Sequence, residues 1–146
     1  MKARVKTHCD EYTAKQYKYP IVTLLEAHKR FYKCRQLPGQ SVADYAKCLT
    51  DCAETINALG STVCDNYTIV PETDEDGALR SLETRQKMAV DYFMATALLC
   101  GADSSRYESL SIQLANRYLM GVDEYPKDMV SAQRLLVMYK DRKSVV

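Results

Sequence analysis

The sequence predicts an all-α domain, a compact bundle of about five helices. Three observations point there. Apolar residues recur at spacings of three and four in successive stretches, as in helices with one buried face. The 5 Gly and 4 Pro sit at the edges of those stretches rather than inside them. No Asn-Gly or Asp-Gly turn separates two alternating runs, since Asp76-Gly77 follows an acidic stretch without alternation. With 146 residues, 47% hydrophobic and 27% charged, the chain can build a core without staples.

Residues 1–19 read as a basic Tyr/Lys-rich arm, with Lys2, Arg4, Lys6, Lys15 and Lys18 against Asp10 and Glu11. A single helical domain is expected over 20–141. Pro20 suits a first helical turn, where its missing N–H is not needed. Leu24, Leu25, His28, Phe31 and Tyr32 then fall on one face, and the helix ends before Pro38-Gly39. Ser41 is placed to cap a second helix with Asp44 as reciprocal partner. Its buried face is Val42, Tyr45, Leu49, Cys52 and Ile56, and Gly60 ends it. Residues 61–81 form a long irregular stretch, either mobile or functional. A third helix is expected from about Leu82 to Cys100. Within it, residues 88–100 are apolar, Tyr or Cys except for Asp91 and Thr96, so the helix needs cover on every side. Ser105-Arg-Tyr-Glu108 reads as a capping box opening a fourth helix with the stripe Tyr107, Leu110, Leu114 and Tyr118. Tyr125-Pro126 is expected to start a fifth, with Ala132, Leu135, Leu136 and Tyr139 inward, before a basic tail at 142–146.

The function classes narrow quickly. Twenty basic against nineteen acidic residues leave a net charge of +1, which argues against a polyanion-binding domain as a whole. The basic ends are the candidate nucleic-acid contacts: Lys2, Arg4, Lys6, Lys140, Arg142 and Lys143. Tyr12, Tyr17 and Tyr19 interleave with lysines and could stack on single-stranded bases, although packing on a neighbouring helix is the preferred reading. No apolar run approaches a bilayer span, and no apolar segment follows the basic start as a secretory signal requires. The six cysteines read as reduced, mostly buried thiols of a cytoplasmic protein, where the Asn66-Tyr-Thr68 sequon has no role.

Catalysis is not expected. His8 lies in the arm and His28 on an apolar helix face, no nucleophile elbow or phosphate loop occurs, and the carboxylates cluster in a loop. Hence no enzyme, no cofactor and no small-molecule substrate. Glu72, Asp74, Asp76 and Glu83, with Gly77, weakly mimic a calcium loop. Against it stand Glu rather than Asp at the first position and a β-branched, Pro-ended stretch in place of an entering helix. The metal expectation is therefore none, and the cysteine spacing does not suit zinc.

Gln36-Leu-Pro-Gly-Gln-Ser-Val-Ala-Asp-Tyr-Ala-Lys-Cys-Leu49 resembles the major homology region of retroviral and retrotransposon Gag capsid proteins. Gln36, the Pro38-Gly39 turn, Tyr45 and Leu49 fall on its positions, with Ser41 opening the helix. Gln40 replaces the usual acid and Cys48 the usual basic residue, so both partners of the family's ion pair are absent together. Downstream, the run from Phe93 through Arg106-Tyr107, and the Gly121…Tyr125-Pro126 punctuation, are similar to copia-like retrotransposon Gag. The resemblance spans about residues 21–140.

It implies a capsid C-terminal domain that self-associates, with the Gln side chain clasped over the start of the next helix. It also implies a dimer contact on the helix after the clasp, with Met88, Tyr92, Ala95 and Leu99 as candidates. The zinc knuckle that would bind RNA and the protease motif are missing: either both lie beyond residue 146 in a longer polyprotein, or this copy has lost them. Any RNA is expected to be held through regions outside this chain. The expected partner is a second copy of the chain, with no membrane. The alternative is a domesticated Gag-like, or unrelated, helical adaptor that binds a protein partner.

Overall fold

A computed structural model describes residues 19–145, with side chains as far as residue 139. Five α-helices follow one another: α1 (Pro20–Lys33), α2 (Val42–Ala58), α3 (Leu82–Cys100), α4 (Ser104–Leu119) and α5 (Met129–Val145). A short 3-10 turn, Tyr67–Ile69, lies between α2 and α3, and the only pairing of extended backbone among the described residues is the bridge Thr73–Leu79. The bundle is all-α, as the periodicity predicts. Except for Tyr19, the arm lies outside the described residues, as do Lys2, Arg4 and Lys6 and the side chains of Lys140, Arg142 and Lys143.

Local chemistry sets each helix start, where backbone N–H groups lack partners. Pro20 occupies the first turn of α1 and needs none. Ser41 Oγ accepts from Asp44 N at 3.1 Å, and Ser81 Oγ from Thr84 N at 3.1 Å. Two starts differ from expectation. At α4 the cap is Asp103, whose Oδ1 accepts from Ser105 N at 3.0 Å and from Ser105 Oγ at 2.8 Å. A carboxylate there outcompetes the Ser105 hydroxyl as the acceptor, and the expected capping box does not form the start. At α5, Asp123 Oδ1 takes Tyr125 N at 3.0 Å and holds that segment in a turn, so Tyr125-Pro126 precedes the helix. Asp128 caps it instead, accepting from Ser131 N at 2.8 Å. The backbone of α5 stays helical through Val145, where a tail from 142 was expected.

The core forms where α5 packs against α2, α3 and α4, with α1 laid on α2 and the 3-10 turn on α3. Tyr45, Leu49, Ile56, Leu98, Tyr107 and Leu136 are its largest fully buried side chains from the helices. Val70, also fully buried, anchors the irregular stretch. Arg85 pins that anchor by donating from Nε and Nη2 to the Val70 carbonyl at 3.2 and 3.0 Å. Arg80 Nη1 donates to the carbonyls of Pro71 and Thr73, both at 2.9 Å. Residues 61–81 are thus held by arginines on backbone carbonyls.

Two expected faces need correction. On α1 the buried residues are Ala27 and Phe31, while Leu25 and Tyr32 are 52% and 58% exposed. The stripe turns about one residue from the predicted one, and its apolar edge is left open. On α4, Tyr107, Leu110 and Leu114 are buried as expected, but Tyr118 is exposed and stacks edge-on against Tyr125.

Candidate functional site

Gln36 and the Pro38-Gly39 turn meet in one hydrogen-bonded unit. Leu37-Pro38-Gly39-Gln40 forms a type II turn, closed by Gln40 N donating to the Leu37 carbonyl at 3.0 Å. Its third position needs a left-handed residue, and Gly39 supplies it with φ of 80°. The turn delivers Gln36, which is buried, into the bundle. Gln36 Nε2 donates to the Gln40 carbonyl at 2.9 Å, and Gln36 Oε1 accepts from Asp103 N at 2.9 Å. Gln36 N donates to the Gly101 carbonyl at 2.8 Å. One side chain therefore joins the α1–α2 turn to the α3–α4 turn.

This arrangement corrects the expected clasp. The Gln36 acceptor does not serve the start of α2, where Ser41 already satisfies the free N–H of Asp44. It serves the cap of α4 instead. Gln40 uses its own side chain on the turn: Leu37 N donates to Gln40 Oε1 at 3.0 Å.

Arg106 closes the unit from α4. Its Nη2 donates to the Gln40 carbonyl at 2.9 Å and its Nε pairs with Asp103 Oδ2 at 3.2 Å. Hydrogen bonds from Ser105, then Arg106, hold the Asp103 carboxyl below its usual range. The roles of Arg106, Asp103 and Gly101 were not legible from the motif alone. The Arg106-Tyr107 pair drew notice by resemblance, but nothing local tells that its guanidinium reaches a turn some sixty residues earlier.

Tyr45, fully buried, donates its hydroxyl to the Leu98 carbonyl at 2.9 Å and so ties α2 to the last turn of α3. Burial pushes the Tyr45 hydroxyl's pKa up, so it stays a neutral donor. Gly101 is part of this contact. A Cβ there would fall on the Tyr45 hydroxyl and lie 3.0 Å from the Cys34 carbonyl. With φ of −92°, Gly101 is present for space and not for a left-handed helix stop. Gly101→Ala is expected to destabilise the fold by about 1–3 kcal/mol through overpacking. Urea denaturation measures it, and in a double-mutant cycle with Tyr45→Phe the two costs should fail to add.

The remaining candidates do not form a site. Asp74 Oδ1 is occupied by its own loop, accepting from Asp76 N and Ala78 N, both at 2.9 Å. Among the described residues no three His, Cys, Asp or Glu side chains converge for a metal ion, so Glu72, Asp74, Asp76 and Glu83 are not brought together as ligands. The thiols also differ from expectation. None of the five described cysteines is fully buried, and Cys48 and Cys100 are exposed. Cys34 and Cys52 lie against each other, and burial, followed by the nearby Cys52, pushes the Cys34 thiol up to about 11.

The α3 interface requires the largest correction. Ala95 is fully buried and Leu99 is 7% exposed, so both belong to the core of their own molecule. Met88 and Tyr92 are half-buried, the latter beneath the Lys127 ammonium, 5.3 Å from the ring centre. Ala95 and Leu99 are therefore closed to a second copy, while Met88 and Tyr92 keep part of their surface exposed. Exposed apolar surface lies elsewhere, including Ile21, Leu25 and Tyr32 on α1 and Leu79 beside the acidic loop. No described helix is long and apolar enough to cross a membrane. Comparison of the chain with protein-family models, curated proteins and solved structures finds no match in any of the three.

Proposed function

We propose that the chain is a structural, non-catalytic Gag-type capsid domain. Its copies self-associate in the cytoplasm into homo-oligomers or a shell that packages retrotransposon RNA, held through regions outside this chain. The observation that carries the reading is the Gln36 unit. Gln36, the Pro38-Gly39 turn and Tyr45 were singled out by resemblance, and each takes part in fastening α1–α2 to α3–α4. Leu49, the last motif position, is buried in the core beneath them. A motif whose residues serve one mechanical purpose fits a building block whose shape must be fixed before copies combine. The exposed apolar residues Ile21, Leu25 and Tyr32 on α1 support association, since such surface clustered on one element suits contact with a partner.

Shells use many small contacts, each weak alone. Sedimentation velocity across a concentration series should show a rising weight-average mass, and electron microscopy at high concentration should show regular particles or tubes. A strict monomer at high micromolar concentration sinks the proposal.

One observation favours the adaptor reading. Between α4 and α5 runs a cavity of about 600 Å³, lined by Leu110, Leu114, Leu135 and Met138 and rimmed by the Arg117–Glu124 ion pair. A groove of this kind suits an amphipathic peptide. A monomer at all concentrations that binds such a peptide there would replace the shell reading with this one.

A further inference from the structure

The geometry points to a head-to-tail contact between copies, in which the acidic hairpin of one chain seats on the basic end of α1 of the next. This inference rests on the self-association proposed above and names its surfaces.

Two surfaces of opposite charge face outward from different elements. The end of α1 and the residues after it carry Lys29, Arg30, Lys33 and Arg35 against one carboxylate, Glu26. Lys29, Arg30 and Lys33 line one cleft together with Cys34, Cys52 and Glu26. On the other side of Cys34 lies a mostly apolar cavity of about 300 Å³, walled by Phe31, Tyr32, Leu49, Phe93 and Ala97, with Arg35 at its edge. Cys34 borders both, so a basic cleft and an apolar pocket adjoin.

The loop over residues 72–80 has the complementary pattern. It carries Glu72, Asp74, Glu75 and Asp76 against Arg80, whose guanidinium is engaged on the Pro71 and Thr73 carbonyls. Asp74 folds it, and the Thr73–Leu79 bridge and Arg80 N on the Glu72 carbonyl at 2.8 Å close it. Glu75 and Asp76 are left exposed at the tip, and Leu79, 79% exposed, stands on the returning arm where it bridges to Thr73. A pre-shaped hairpin spends little ordering entropy on docking. It offers an apolar anchor to a pocket and carboxylates to the cations around it, as interfaces with apolar centres and charged rims do.

Symmetric pairing of α1 with its own copy about its basic end would bring Lys29, Arg30 and Lys33 against the same residues, which like-charge repulsion opposes. Head-to-tail contact brings opposite charges together and, unless two copies engage each other reciprocally, continues into rings or filaments. A stable dimer takes about 800 Å² per partner. A hairpin tip covers less, which suits the weak, repeated contact a shell uses.

The test is complementation. A cleft variant, Lys33→Glu with Arg35→Glu, keeps an intact hairpin. A hairpin variant, Glu75→Gln with Asp76→Asn and Leu79→Ser, keeps an intact cleft. Each alone should weaken self-association by roughly tenfold or more, while melting at the wild-type temperature. Mixed, they should form a 1:1 complex that grows no further, because one good surface remains on each chain. In parallel, carbodiimide cross-linking of mixed 14N- and 15N-labelled wild-type protein should join Glu75 or Asp76 of one copy to Lys29 or Lys33 of another. If the wild type associates but both variants associate equally, or no such cross-link appears, this contact is wrong and the capsid reading stands. If the wild type never associates, both fall together.

Discussion

Gln36→Ala is expected to melt about 10 °C below the wild-type protein, a loss of roughly 3 kcal/mol at about 2.1 cal/mol/K of unfolding entropy per residue. The size follows from which partners are left behind. The Gln40 carbonyl keeps the Arg106 Nη2 donor at 2.9 Å and suffers little. Asp103 N loses its acceptor at the start of α4, next to a carboxylate already engaged by Ser105 and Arg106. A backbone N–H left in a partly buried place costs about 1–3 kcal/mol, and the truncated, buried side chain adds a cavity. Gln36→Glu separates these contributions because the acceptor for Asp103 N survives and only the donor to Gln40 is lost. Facing a carbonyl and removed from water, the new carboxyl has its pKa raised in the folded state. Its contribution is therefore fullest in acid and is lost as pH rises through that folded value, so this variant should approach wild-type stability at low pH. Thermal melts of both variants between neutral and acidic pH check the pair. Equal melting of Gln36→Ala and wild type would mean that the bridge between the two turns contributes nothing.

The parts of this fold that depend on near neighbours in the chain were legible in the sequence. Ser41 caps the helix it precedes, because a hydroxyl three residues before an unpaired N–H has few other geometries open to it. Val42, Tyr45, Leu49 and Ile56 are buried as their spacing requires. The starts of α4 and α5 were misjudged where two capping groups competed, and Asp103 and Asp128 prevailed. Spacing fixes the direction of a face only to about one residue and not its width, so Leu25 and Tyr32 on α1 were assigned inward although they stand at its exposed edge.

The candidate site divides in the same way. The turn, Gln36 and Tyr45 were found from the motif. Their partners were not, since Asp103, Leu98 and Arg106 lie more than fifty residues away along the chain. The exposed hairpin and the α1 cations were visible as composition, but their relation to an apolar pocket required coordinates. Likewise, an apolar run at 88–100 states that a helix is covered and leaves open by what.

Ala95→Asp decides what covers it. The site is fully buried on α3, and Leu98 and Leu136 are among the fully buried side chains of the same core. An unpaired carboxylate there costs several kcal/mol whether it stays ionised or takes up a proton. A domain of this size has only about 5–15 kcal/mol of stability in total. The variant should therefore lose its cooperative thermal transition, or melt far below the wild type, and recover only in acid. Met88→Asp, on the same helix but half-buried, should cost about 1–2 kcal/mol and leave the fold intact. Circular dichroism melts of the two variants check the contrast. The comparison also carries the argument about assembly. Were α3 a surface shared between copies, Ala95→Asp would leave a well-folded monomer that no longer associates. In a self-covered helix, the same substitution removes the fold and association together, whereas the hairpin and α1 variants remove association alone.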